Sequence, residues 1–126
     1  MQIVSFSDYL EDAINNAVCN NTSLAIAQVY VKLHIGDPGE NGTSNAAAET
    51  TRKAVSFGAS VSGTAISDAD VTWTNVAGTE TISYISYWDH VSAGNCLGSG
   101  PLTSSQAVSA GDTLQALTGN LTFTSA

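Results

Sequence analysis

The chain has 126 residues, a formal net charge of −8 and only 11% charged residues, with Lys32, Arg52 and Lys53 its sole cations. That length supports one domain with a modest core, and the acidic balance argues against nucleic acid or anionic lipid as a partner. A charged fraction below the usual quarter or so leaves a surface of Ser, Thr, Asn and Gly, which suits packing against other subunits better than life as a free monomer.

Residues 1–21 lack the positive n-region and continuous apolar h-region of a secretory signal. No stretch reaches the roughly 18–20 apolar residues of a membrane span, so no membrane association and synthesis in a cytosol are expected. Residues 5–19 carry the one clear helical period: Phe6, Leu10, Ile14 and Val18 recur at four-residue steps. Ser7 is placed to cap this helix, and Asp8, Glu11 and Asp12 sit where the helix dipole favours acids. Its apolar stripe can lie on its own domain or dock on a partner. Asn20 and Asn21 end the helix, so residues 1–22 read as an N-terminal helical arm and residues 23–126 as a β domain.

From residue 24 the pattern changes to strands. In residues 24–35, Val29, Val31, Leu33 and Ile35 alternate with Tyr30, Lys32 and His34, which places His34 on the face opposite Leu33. Residues 36–51 form a long loop, and strands follow at residues 52–59, 61–66 and 71–74. Residues 79–88 alternate again, with Ile82, Tyr84, Ser86 and Trp88 on one face and Ile85 and Tyr87 on the other. A Gly-punctuated strand spans residues 95–102, and Leu121 and Phe123 mark the last. About seven short strands divided by Gly, Ser and Asn turns predict an all-β fold, an antiparallel sandwich or jelly-roll-like domain with a short N-terminal α-helix.

The chemistry on offer is thin. His34, Asp37 and Glu40 have the residue types of a metal loop, but Asp37-Pro38-Gly39 is strong turn chemistry, and the turn is our reading. Asp89 and His90 with Ser86 or Ser92 supply the ingredients of a nucleophile system without its strand-to-helix elbow. Asp68 and Asp70 flank a turn and are read as turn residues, not as paired catalytic acids or a Ca²⁺ loop. Trp73, Tyr84, Tyr87 and Trp88 read first as core; Tyr87 and Trp88 are the candidates for an aromatic interface. Cys19 and Cys96 have no C-x-x-C spacing and are read as isolated reduced thiols. No catalytic residue, metal or cofactor is expected.

The order of these segments carries a resemblance. "VKLHIGDPGENGT", then "AAETTRKAVSFGAS", "VTWTN", "ISYISYWDHVSAGNCLGSGPLTSSQAVSAGDTLQ" and "LTFT" resembles a family of small β-rich bacteriophage virion proteins with an L-H-T-A-D-P-G-like signature. Leu33, His34, Asp37, Pro38 and Gly39 match it, with Ile35-Gly36 in place of Thr-Ala. The resemblance covers roughly residues 29–123 and implies a structural role in the virion after synthesis in the host cytoplasm. The leading expectation is a capsid decoration (cement) protein that binds the major capsid protein and is homo-oligomeric, by analogy a trimer. The alternative is a tail fibre or minor tail protein, bound to tail proteins and able to bind a host. The helix lies outside the shared pattern, so Phe6, Leu10, Ile14 and Val18 are the candidate partner-docking residues.

Overall fold

The computed structural model describes residues 5–125; residues 1–4 of the expected arm and residue 126 lie outside the described residues. The elements in chain order are β1 (Ser5–Phe6), α1 (Asp8–Cys19), β2 (Val29–His34), β3 (Lys53–Val55), β4 (Thr64–Ile66), β5 (Val71–Trp73), β6 (Glu80–Trp88), β7 (Cys96–Val108), β8 (Leu114–Ala116) and β9 (Thr122–Thr124). One five-stranded antiparallel sheet runs β1-β7-β6-β2-β3, and two short ladders, β4-β9 and β5-β8, complete the fold. The expected all-β architecture with one short helix is the one found.

The core follows from the register of β2 against β6. Val31 stands opposite Tyr87 and Leu33 opposite Ile85, so these four side chains share one face of the sheet. β5 delivers Val71 and Trp73, and the residue just before β9 delivers Leu121, into the same buried cluster. Four aromatic rings meet at one end of it: Phe123 lies 5.2 Å from Phe6, 5.5 Å from Tyr87 and 6.4 Å from Phe57, centroid to centroid. Their tilted and edge-on geometries favour contact between the positive rim of one ring and the negative face of the next. Tyr87 keeps its polar end satisfied by donating its hydroxyl to the Thr122 carbonyl at 3.1 Å. Burial pushes its phenol well above the ordinary range.

Two irregularities between β6 and β7 break the expected alternation. Ile82 pairs with Gln106 and Tyr84 with Pro101, so the four residues 102–105 stand opposite Ser83 alone. This bulge shifts the phase of β6, and Ile82 and Ile85, expected on opposite faces, are both in the core. A second shift lies between Tyr87 and Trp88, which pair with Gly98 and Cys96; the extra residue, Leu97, is buried in the core cluster.

Other boundaries differ for want or gain of a partner strand. Residues 24–28 do not join β2, because the ladder to β3 begins only at Val29 with Val55. Conversely residues 103–108 continue β7, with Gln106–Val108 paired to Glu80–Ile82, and 114–116 is strand because it pairs with Val71–Trp73. Asp70, read as a local turn residue, instead reaches a segment remote in sequence: Oδ1 accepts from the Thr118 N–H at 2.7 Å and the Thr118 hydroxyl at 2.9 Å.

The helix is set by a short strand and a cap. Phe6 pairs with Gly98 on β7. Ser7 then turns the chain, accepting from the Leu10 N–H at 3.2 Å and donating to the Cys96 carbonyl at 2.6 Å. One hydroxyl therefore caps the helix and ties it to the sheet. Ser7→Ala leaves both groups unmet in a buried place and should cost about 1–2 kcal/mol. Urea denaturation against the wild-type chain measures it; an unchanged midpoint would show that the tie carries no stability.

Candidate functional site

The D-P-G segment and the Y-W-D-H segment, remote in sequence, meet on the outer face of the sheet. Asp37 Oδ1 accepts from the Gly39 N–H at 2.9 Å, an Asx turn that starts the reversal. Pro38 is buried, and its carbonyl accepts from the Ser44 N–H at 3.0 Å. The loop then returns along the end of β2, where Ile35 N–H meets the Asn45 carbonyl at 2.9 Å and Ala47 N–H the Leu33 carbonyl at 3.2 Å. Residues 36–46 thus form a flap against the sheet.

Three attachments hold the flap. The first is a buried chain of hydrogen bonds through His34, which is 0% exposed. His34 Nδ1 lies 2.9 Å from the Ser44 carbonyl oxygen, and a carbonyl only accepts, so this nitrogen carries the proton. Burial pushes the ring's pKa below its ordinary 6.5; the Ser44 carbonyl pulls the other way, Lys32 adds to the lowering, and Asn45 opposes it. The ring is therefore neutral and its Nε2 bare. Ser86 Oγ donates to that nitrogen at 2.7 Å and accepts from Trp88 Nε1–H at 2.8 Å. Every member of the chain Trp88, Ser86, His34, Ser44 is satisfied.

The second attachment is steric. Gly42 has φ +68, and a Cβ there would lie 2.6 Å from Cys96 Sγ and 2.9 Å from Trp88 Cζ2. The flap lies flat on these two side chains because position 42 has none. The third is electrostatic: Glu40 Oε2 accepts from the Asp8 N–H at 3.1 Å, placing a carboxylate at the positive end of α1. The flap thereby joins helix to sheet.

Arg52 stacks on Trp88, its Cζ 3.8 Å from the ring centroid. Its Nη1 donates to the His90 and Ala93 carbonyls at 2.9 and 2.7 Å. Asp89 organises the same 89–95 turn, accepting from the Asn95 N–H at 2.7 Å and from His90 Nδ1 at 2.7 Å. Burial alone would raise the Asp89 pKa, but these bonds and the Asn95 amide hold it below the ordinary carboxylate value. Burial pushes the Cys96 thiol up to about 11, which keeps it protonated and unreactive.

Several expected sites look different in place. Leu33 points into the core and His34 to the opposite face, as read, yet both are buried, because the flap covers the second face. Tyr87 and Trp88, the candidate aromatic interface, are 0% and 6% exposed and offer no surface to a partner. In the helical stripe, Leu10 is in the core cluster, Phe6 and Ile14 pack against it, and only Val18, 78% exposed, faces outward. Three of the four stripe residues are thus taken up by this chain's own body, while Val18 and, beside the stripe, Tyr9 at 43% remain exposed on the helix.

Asp89 and His90 do form a pair, but Ser86 bonds to the other histidine. The Ser86–His34 contact was not legible in sequence, since it joins residues 52 apart. It has the distance of a nucleophile and its base. Both side chains are 0% exposed and the Ser86 oxygen already receives the Trp88 N–H, so no electrophile reaches it. Among the described residues no three His, Cys, Asp or Glu side chains gather to hold a metal.

A family profile described as podophage GP4 fiber I protein gp80 matches residues 5–124, and the chain belongs to that family. No curated protein matches it.

Two outcomes test the flap. Gly39 has φ +75 but open space, its nearest neighbour being Ser44 Oγ at 3.8 Å from a built Cβ. Gly39→Ala should therefore cost only the left-handed backbone term, about 1–2 kcal/mol. Gly42→Ala adds the overlap with Cys96 and Trp88 and should cost roughly 1–3 kcal/mol more. Thermal melts that rank Gly39→Ala as the more damaging would contradict the packing described.

The His34 shift sets a pH dependence. Its lowered pKa means that stability is full above 6.5 and falls as pH drops below it, because the unfolded ring takes a proton that the folded ring refuses. The slope approaches about 1.4 kcal/mol per pH unit until the folded-state pKa is reached. Urea midpoints taken between about pH 7.5 and pH 5.5 should decline for the wild type and flatten in His34→Gln; equal slopes would remove His34 as the cause.

Proposed function

We propose that this chain is a non-catalytic structural subunit of the tail-fibre apparatus of a podophage. The observation that carries the reading is the extent of the family match, residues 5–124, which takes in the helix, the flap and the whole sheet. The family's description favours the fibre over the capsid-decoration role expected first, and that earlier preference is set aside.

The build of the molecule supports a mechanical role. Its polar residues are used to fasten one segment to another: Ser7 joins helix to sheet, Glu40 joins flap to helix, and Arg52 joins the 89–95 turn to Trp88. Among the described residues, no buried side-chain nitrogen or oxygen lacks a hydrogen-bond partner. A polar interior satisfied throughout favours one rigid arrangement, as a part that transmits force or holds a position requires.

Immunogold labelling of intact virions with antibody against the purified chain tests the location. Grains at the tail and its appendages are expected. Grains spread over the head would restore capsid decoration and overturn the fibre reading.

A further inference from the structure

A groove of about 370 Å³ lies between β8 and the bulged stretch of β7. Its floor is the core itself, with Leu33, Trp73, Ile82 and Ile85 at the bottom. Its rim is made of hydroxyls and amides, including Ser104, Gln106, Gln115 and Asn120, together with Leu117, which is 51% exposed. The groove exists because the bulge at residues 102–105 has no counterpart on β6 beyond Ser83 and because β8 is paired on one edge only, to β5. None of the backbone hydrogen bonds outside the ladders engages residues 114–116, so the second edge of β8 is open.

We propose that this groove is where a second copy of the chain docks, β8 of one copy lying antiparallel to β8 of the other across a two-fold axis. The first argument is charge. The chain carries eleven acidic residues against three basic ones, yet no charged residue lines the groove. From Val91 to the C-terminus the sequence holds one charged residue, Asp112, and it is not in the lining. Two copies at −8 each repel wherever their acids face one another, and this is a surface on which they meet without that cost. A basic partner would instead be drawn to the acidic faces elsewhere. Absence of charge is also the compositional mark of the centre of a protein interface.

The second argument is self-complementarity. A two-fold contact needs one surface that matches itself. Glutamine and asparagine amides both donate and accept, as does an open strand edge. A rim of Gln106, Gln115 and Asn120 beside the open β8 edge therefore supplies its own partners when a second copy faces it, and Leu117 of each copy covers the apolar floor of the other. This contact differs from the trimer expected by resemblance, and it is independent of where on the virion the chain sits.

Sedimentation velocity on the full chain tests it. The wild type should form a dimer. Leu117→Glu and Gln106→Glu each place an acid in the neutral groove, at an exposed or rim position outside the core, and should weaken the dimer ~10-fold or more. Roughly 1 M salt, where the screening length falls to about 3 Å, should restore much of the loss. Val18→Glu, on the helix, should leave the dimer intact, and circular dichroism should match the wild type in all three. A wild-type chain that stays monomeric at high concentration, or a dimer untouched by both groove variants, overturns the proposal.

Discussion

The structure depends on keeping one imidazole neutral and out of water. His34 lies at the end of the central strand β2, with a proton on Nδ1 for the Ser44 carbonyl and a bare Nε2 for the Ser86 hydroxyl. Either protonation or solvent would change one of those two roles. While both hold, the flap over residues 36–46 is fastened to the outer face of the sheet. Trp88 and Cys96 then have a cover, and Glu40 is in position to meet the first turn of α1. The inner face needs no such device, because large apolar side chains fill it. Among the described residues the outer face at the end of β2 is covered by the flap, and a polar chain of bonds does the work of a second layer of strands.

This division explains why polar residues and glycines dominate residues 36–46. A loop cannot bring enough apolar area to hold itself down at about 25 cal/mol per Å². It is held by directional contacts instead: an Asx turn at Asp37, a side-chain-free approach at Gly42 and a carbonyl offered to His34. Each is small alone, of the order of 1 kcal/mol. Together they set one geometry for the flap, and through Glu40 they pass that geometry to the helix. The flap keeps that one geometry because, among the described residues, the buried side-chain nitrogens and oxygens are all paired.

The bulge between β6 and β7 has the opposite effect. Where the flap closes one face, the extra residues at 102–105 open the other, leaving a groove that reaches Leu33 and Ile85. The same register change brings Ile82 and Ile85 into one core although they are three residues apart in a strand. A single local departure from period two thus shapes both the packing of the core and the groove between β7 and β8.

Several features were determined by the sequence alone. The helix came from the four-residue recurrence of Phe6, Leu10 and Ile14 behind the Ser7 cap, and the helix runs from Asp8 to Cys19. The all-β class came from alternation and turn residues, and the turn at Asp37-Pro38-Gly39 from backbone preferences that act over three residues. The likeness to phage virion proteins came from the order of motifs. These are local or serial properties, which a linear reading contains. Only the tertiary structure decided which face of each strand is covered, that Tyr87 and Trp88 are interior, that Ser86 meets His34 and not His90, and that Leu10 is buried in its own chain. Those outcomes rest on register and on which segment folds over which. The contacts of Ser7, Glu40 and His34 join residues 89, 32 and 52 positions apart, and no pattern within a window of neighbours records them.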